Sequence, residues 1–301
     1  MKIDLQIGGY LIGLKESENH NCIAWPLRPF EGFLTQSENV LDLDIQIEVV
    51  KQLPEISRGA LTFDACQGLW KLYEAAPGYI LDSADTETLE PRTRSIISGD
   101  FSRIRAWVCE HHSELGDGWM ILQVINPLVE VCLLTKLARE GGVLLHAAGI
   151  LTETGVLAFT GSSGAGKSTL SEFFAAKGAC ILSDERIIIK RVSDGFAVYG
   201  TPWVGTSLHA HNRAGSLTRL YCIRHGLGSH MTRRMSPRAF SQFVLRQCFL
   251  PHWDRAAMDN TLAFLGTLIE KVDCFELAFM NTPDIVEFLE EQRLEHSVAS
   301  S

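Results

Sequence analysis

From Gly161 to Thr169 the chain reads GSSGAGKST, which fits G-x-x-x-x-G-K-[ST] at every fixed position. It follows an apolar strand-like run, VLAFT, and opens a helix-like one, TLSEFFAAKG, the setting a phosphate-holding loop requires. Glycines let consecutive N–H groups and a helix N-terminus face phosphate oxygens, so Gly161, Ser162, Ser163, Gly164, Ala165, Gly166 and Thr169 are expected to line the cradle. Lys167 is expected to reach the β- and γ-phosphates and Ser168 to ligate Mg²⁺, which makes ATP and Mg²⁺ the expected ligands. Asp184 and Glu185, in ILSDER, stand 17 and 18 residues beyond Lys167 at the end of another apolar run. One such carboxylate can hold Mg²⁺ while the other accepts the proton of an attacking hydroxyl. Which is the base stays open, as does a plainer reading in which Glu185 begins a solvated turn. His146, in LLHAAGIL, would by itself read as a satisfied core histidine.

These residues need an α/β framework, and the pattern from Val143 onward supplies one: strand, turn, strand, loop, helix, strand (VLLHAAGIL, TETG, VLAFT, GSSGAGKS, TLSEFFAAKG, ACILS). A β-rich run follows, then helices opened by SPRAF and WDRAAMD, a strand CFELAF, and a last helix for which Thr282 would be N-cap and Pro283 the first residue. The earlier part alternates short apolar runs with polar turns. LDLDIQIEVV reads as a strand of period two, CQGLWKLYEAA as more helical, and NPLVEVCLLTKLAREGG as a buried helix near a domain junction. The expected organisation is an α+β domain over residues 1–125, smaller and suited to binding an acceptor or partner, then a nucleotide-binding α/β domain over 126–301.

The segment LLHAAGILTETGVLAFTGSSGAGKSTLSEFFAAKGACILSDE resembles the catalytic core of the bacterial HPr kinase/phosphorylase family, which has a His before the strand pair, a phosphate loop, and an acidic pair closing the next strand. The separation from His146 to Gly161 is 15 residues, and this and the spacing to the acids agree with that pattern. The resemblance implies a P-loop domain of the HPr kinase C-terminal type. It implies catalytic roles for His146, Lys167 and the Asp184–Glu185 pair, with Ser168, Asp184 and Glu185 toward the metal. Glu185 replaces the family's second Asp, and the downstream Gly- and Ile-rich signature that engages HPr is missing. YGTPWVGTS, SLTRLYCIRHG and FLPHWDRAAMD instead resemble HPr-kinase-like proteins found with ribosomal peptide modification systems, which implies a hydroxyl-bearing peptide or protein acceptor, a small precursor peptide among the candidates.

With 301 residues and 46% hydrophobic composition the chain can bury a full core. Its net charge of −9 argues against general nucleic-acid or anionic-membrane binding. Eight scattered cysteines without a Cys-x-x-Cys pair, an N-terminus with charges among its apolar residues, and no apolar run near ~20 residues give the expectation of a soluble cytoplasmic protein. Between Gly195 and Trp253 there is no Asp or Glu, yet Arg213, Arg219, Arg224, Arg233, Arg234, Arg238 and Arg246 fall there. Those arginines, with Trp203, could form a groove or lid for phosphates or an acidic acceptor, or only a solvated face. Neither His209 and His211 nor Glu110 to His112 has the partners a structural transition metal needs. The leading expectation is a kinase for an alcohol acceptor. The alternative is a non-catalytic ATP-sensing module acting through a partner. An energy-transducing NTPase lacks its signature motifs here, and homo-oligomerisation is left open.

Overall fold

Apolar residues at every second position bury one face of a strand, and the first part of the chain uses that pattern repeatedly. The computed structural model describes all residues except 19, 24, 26, 27, 66, 67, 114, 115, 226, 227 and 299–301. The chain is mixed α/β and divides into two units, Met1–Glu140 with Leu250–Thr261, and Gly141–Phe249 with Leu262–Ser301.

The first unit is built on an eight-stranded sheet. Its strands are β1 (Lys2–Ile7), β2 (Tyr10–Glu16), β3 (Leu43–Val50), β4 (Leu61–Ala65), β5 (Trp70–Ala75), β6 (Gly78–Ala84), β7 (Pro91–Ser98) and β8 (Arg103–Cys109), in the order β1-β2-β3-β8-β7-β6-β5-β4. Ile3, Leu5 and Ile7 of β1 and Leu43, Ile45 and Ile47 of β3 are buried, as period two requires. The helical expectation for CQGLWKLYEAA is corrected: Trp70–Ala75 pairs antiparallel with β6, Leu72 facing Leu81 and Tyr73 facing Ile80. Pro77 cannot continue a helix, and the aromatics fit a pleated surface once a partner strand is present.

The helix α1 (Glu130–Arg139) belongs to this unit, although the sequence pattern puts the boundary at residue 125; the unit is also about as long as its neighbour rather than smaller. Side-chain bonds explain the boundary. Arg139 donates through Nε to Asp254 at 3.0 Å and through Nη1 to the Gly99 carbonyl at 3.0 Å, with its guanidinium over the Phe101 ring. Trp253 Nε1 donates to Thr135 Oγ1 at 2.9 Å, and Tyr10 to Glu140 at 2.7 Å. Asp254 also accepts from Ala257 N at 2.8 Å, at the start of the helix α4 (Arg255–Lys271). Asp254→Ala therefore removes a helix cap and leaves Arg139 without its carboxylate. The expected loss is about 2–3 kcal/mol, below that for a fully buried pair because Arg139 is a third exposed. Asp254→Asn should lose less. A wild-type urea midpoint for the alanine variant would show that these bonds do not anchor the segment.

The second unit carries the glycine-rich loop from Gly161 to Thr169. Its elements before α4 are β9 (Gly142–Thr152), β10 (Gly155–Thr160), α2 (Lys167–Ala176), β11 (Cys180–Ser183), β12 (Arg186–Val192), β13 (Gly195–Tyr199), β14 (Ala214–His225), β15 (Met231–Arg234) and α3 (Pro237–Val244). After α4 come β16 (Asp273–Phe279) and α5 (Ile285–Val298). The sheet runs β10-β9-β12-β13-β14-β16-β15, with β10 also parallel to β14. Every apolar residue of β10 is buried because both faces are covered. Val156 and Ala158 enter one core with Phe240 of α3 and Leu268 of α4, while Leu157 and Phe159 enter the other with Phe174 of α2 and Leu289 of α5. The last helix starts at Ile285 rather than at Pro283, with shorter-range bonds from Ile285 N to Thr282 O and Val286 N to Pro283 O before it. Among the described residues no helix is long and apolar enough to cross a membrane.

Candidate active site

β9 pairs with several strands along its length, Cys248–Phe249 among them, and this brings distant residues together. β9 pairs with β12 over Gly142–His146, with β10 over Ala147–Thr152, and with β11 over Gly149–Leu151. His146 therefore stands where β9 changes partners. The chain passes from β11 to β12 through two residues, Asp184 and Glu185, so the acidic pair must fall beside that change. Ala147 N donates to the Glu185 carbonyl at 3.0 Å, and His146 Nε2 lies 3.2 Å from Glu185 Oε1. Thr160, the last residue of β10, donates to the His146 carbonyl at 2.9 Å, which ties the start of the glycine-rich loop to the same point.

The loop has the backbone its glycines permit. Gly164 has φ +77° and Gly166 φ +107°, left-handed values costly for other residues, and a Cβ on Gly166 would stand 2.8 Å from the Phe279 ring. Ser162, Ser163 and Gly164 are exposed along the loop, whereas Ala165 is packed beneath it. Lys167 opens α2 and folds back over the loop, its Nζ donating to Gly161 O at 3.0 Å and Ser162 O at 3.3 Å. Burial lowers the pKa of this ammonium, and the nearby Glu185 and Asp184 charges offset part of that effect. Burial likewise lowers that of His146, with Lys167 adding to the effect and Glu185 opposing it.

The two acids differ. Asp184 is fully buried, and its carboxylate accepts from Gly205 N at 2.8 Å, Ser207 N at 3.0 Å and Ser207 Oγ at 2.5 Å, with Ser168 Oγ at 3.4 Å. Glu185 keeps 33% of its side chain exposed and has His146 on one oxygen. A Cβ on Gly205 would lie 2.9 Å from Asp184 Oδ2 and 3.2 Å from Glu185 Oε2, so these two oxygens face a common point. Ser168, Asp184 and Glu185 thus present hard oxygen donors, the type Mg²⁺ prefers. Among the described residues no group of three His, Cys, Asp or Glu forms a metal site by itself.

Sequence reasoning missed Gly205 and Ser207. They lie in YGTPWVGTS, where the run of small residues marks a defined loop without saying what it holds. Trp203, a candidate for the groove, is buried instead: its carbonyl accepts from Ser183 Oγ at 3.1 Å, and its ring lies beside the Arg186 guanidinium. Ser183 Oγ also accepts from Glu185 N at 3.2 Å, which fixes the corner carrying the acids. His211 Nδ1 contacts Ile181 O at 2.6 Å and His209 Nε2 lies 3.3 Å from Glu172. The side chains of His111 and His112 lie outside the described residues.

No protein-family model matches the chain, and no curated protein matches it. Among solved structures the chain is similar to the HPr(Ser) kinase/phosphatase from Coxiella burnetii, with 13% identity and a TM-score of 0.33, over 51% of this chain and 98% of that one. The structural likeness is distant.

Proposed function

We propose that the chain is a kinase, transferring the γ-phosphoryl group of ATP to a hydroxyl acceptor, a Ser or Thr of a peptide or protein. The observation that carries this reading is the contrast within the acidic pair: Asp184 is buried, held by Gly205 and Ser207 and close to Ser168, whereas Glu185 is a third exposed and meets His146. A protein that only binds ATP has no need for a second, open carboxylate beside the loop.

In this reading Glu185 takes the proton as the acceptor oxygen bonds to the γ-phosphorus and the bond to the β-phosphate oxygen breaks, releasing ADP. His146 holds the carboxylate in place. The loop N–H groups from Gly161 to Thr169 and Lys167 bind the phosphates, which for Lys167 means leaving its present bonds to Gly161 O and Ser162 O. Ser168 and Asp184 would hold Mg²⁺, which when bound supplies charge neutralisation on the β- and γ-phosphates. Gly205 and Ser207 keep Asp184 aimed at Ser168.

The test is mass spectrometry of Ser- and Thr-bearing peptides incubated with the protein and Mg-ATP, alongside ATP consumption. Phosphorylated product with slow acceptor-independent hydrolysis is the expected result. Tight ATP binding without product across a broad acceptor set would replace the kinase by an ATP-sensing module, and fast hydrolysis without acceptor by an NTPase.

A further inference from the structure

Four of the seven arginines in the acid-free segment converge. Arg224 of β14, Arg233 and Arg234 of β15, and Arg246 after α3 line a recess of about 670 Å³, and Glu276 of β16 is the one carboxylate in its wall. The recess touches the site already described at two places. Ser162 of the phosphate loop is part of its wall, and so is Gln247, whose carbonyl accepts the His146 N–H at 2.8 Å.

Arg224 and Arg233 both pair with Glu276, at 2.7 and 3.1 Å, and Arg234 pairs with Asp273 at 2.6 Å. Arg246 has no ion-pair partner among the described residues. The wall therefore carries a net positive charge in a chain whose overall charge is −9. The side chains of Arg224, Arg233 and Arg234 are 57, 71 and 75% exposed, which suits a partner laid across an open rim more than a small molecule enclosed in a pocket.

We infer that this recess selects the acceptor by charge: the accepting hydroxyl sits on a peptide segment with Asp or Glu close to it, and those carboxylates lie on Arg224, Arg233, Arg234 and Arg246 while the hydroxyl faces Glu185. The inference rests on the kinase reading for the role of the hydroxyl, but the charge-dependent binding does not require turnover.

The experiment uses three labelled peptides, identical but for residues beside one Ser: Asp/Glu, Asn/Gln or Lys. Fluorescence anisotropy gives their affinities for the full chain, and calorimetry gives that of Mg-ATP. The acid-flanked peptide should bind about tenfold tighter than the neutral one, the difference shrinking as salt rises. Arg246→Glu, which breaks no ion pair among the described residues, and the double change Arg233→Glu with Arg234→Glu should each remove that preference and leave Mg-ATP affinity within about twofold. Equal affinity for the three peptides, or loss of ATP binding in step with peptide binding, overturns the inference, the second by placing the arginines at the nucleotide. Tighter binding of a small carboxylated or phosphorylated alcohol than of the acidic peptide, lost in the same variants, overturns the peptide assignment. Phosphorylation of all three peptides at one rate overturns the inference while the kinase stands; charge-dependent binding with no phosphorylation supports the recess and counts against the kinase.

Discussion

Lys167→Ala should lower phosphoryl transfer by about 10²–10³-fold, the cost of removing one preorganised donor from a developing charge. It should also weaken Mg-ATP binding by roughly 10- to 100-fold, the worth of a charged hydrogen bond to phosphate. Stability should change little. The ammonium is buried against loop carbonyls, and that burial lowers its pKa, so the folded chain gives up hydration to keep it there. The nearby acids return part of that cost, and the sum is expected within about 1 kcal/mol. Calorimetry with Mg-ATP, a thermal melt and a turnover assay on one preparation separate these effects. A folded variant with unchanged ATP affinity would remove Lys167 from the phosphate site and the kinase reading with it.

Glu185→Gln should lower the rate of phosphoryl transfer by about 10²–10⁴-fold, the range for a positioned general base, with ATP affinity retained. Glutamine keeps the shape and can still meet His146, so the loss would report on proton acceptance. Asp184→Asn should behave differently. Its amide cannot accept from Gly205 N, Ser207 N and Ser207 Oγ through two carboxylate oxygens as Asp184 does, so the loop loosens and the concentration of Mg²⁺ needed for half-maximal rate rises. The two variants assayed across a Mg²⁺ series give the comparison. If Asp184→Asn loses rate at saturating Mg²⁺ as heavily as Glu185→Gln, the division of labour within the pair is wrong; if both keep wild-type rates at limiting Mg²⁺, the pair is structural.

The strand, glycine-rich loop and helix around Lys167 are legible in the amino-acid sequence because their signals are local: nine consecutive residues carry the glycines, the lysine and the serine, and strand and helix patterns flank them directly. The acidic pair is legible as a strand end for the same reason. Local signals fail where pairing decides. Trp70–Ala75 has spacing that suits a helix, but β6 offers it a partner strand. The unit boundary lies past α1 because Thr135 and Arg139 bond to Trp253 and Asp254, more than a hundred residues later.

By itself, then, the sequence determined that one part of this chain holds a strand, a glycine-rich loop and a helix, with a histidine and two acids at set intervals around it, since each of these is written in contiguous residues. Only the tertiary structure decided what separates the two acids. Asp184 and Glu185 are neighbours of like charge, and nothing local tells them apart. Burial and donors arriving from Gly205 and Ser207, some twenty residues on, satisfy one, while β9 brings His146 from nearly forty residues back to the other and leaves it open. The same holds for the arginines: a run without acids fixes their net charge, but the antiparallel pairing of β15 with β16 and the turn after α3 decide which four line one recess and which, like Arg219 against Phe275, are buried in packing.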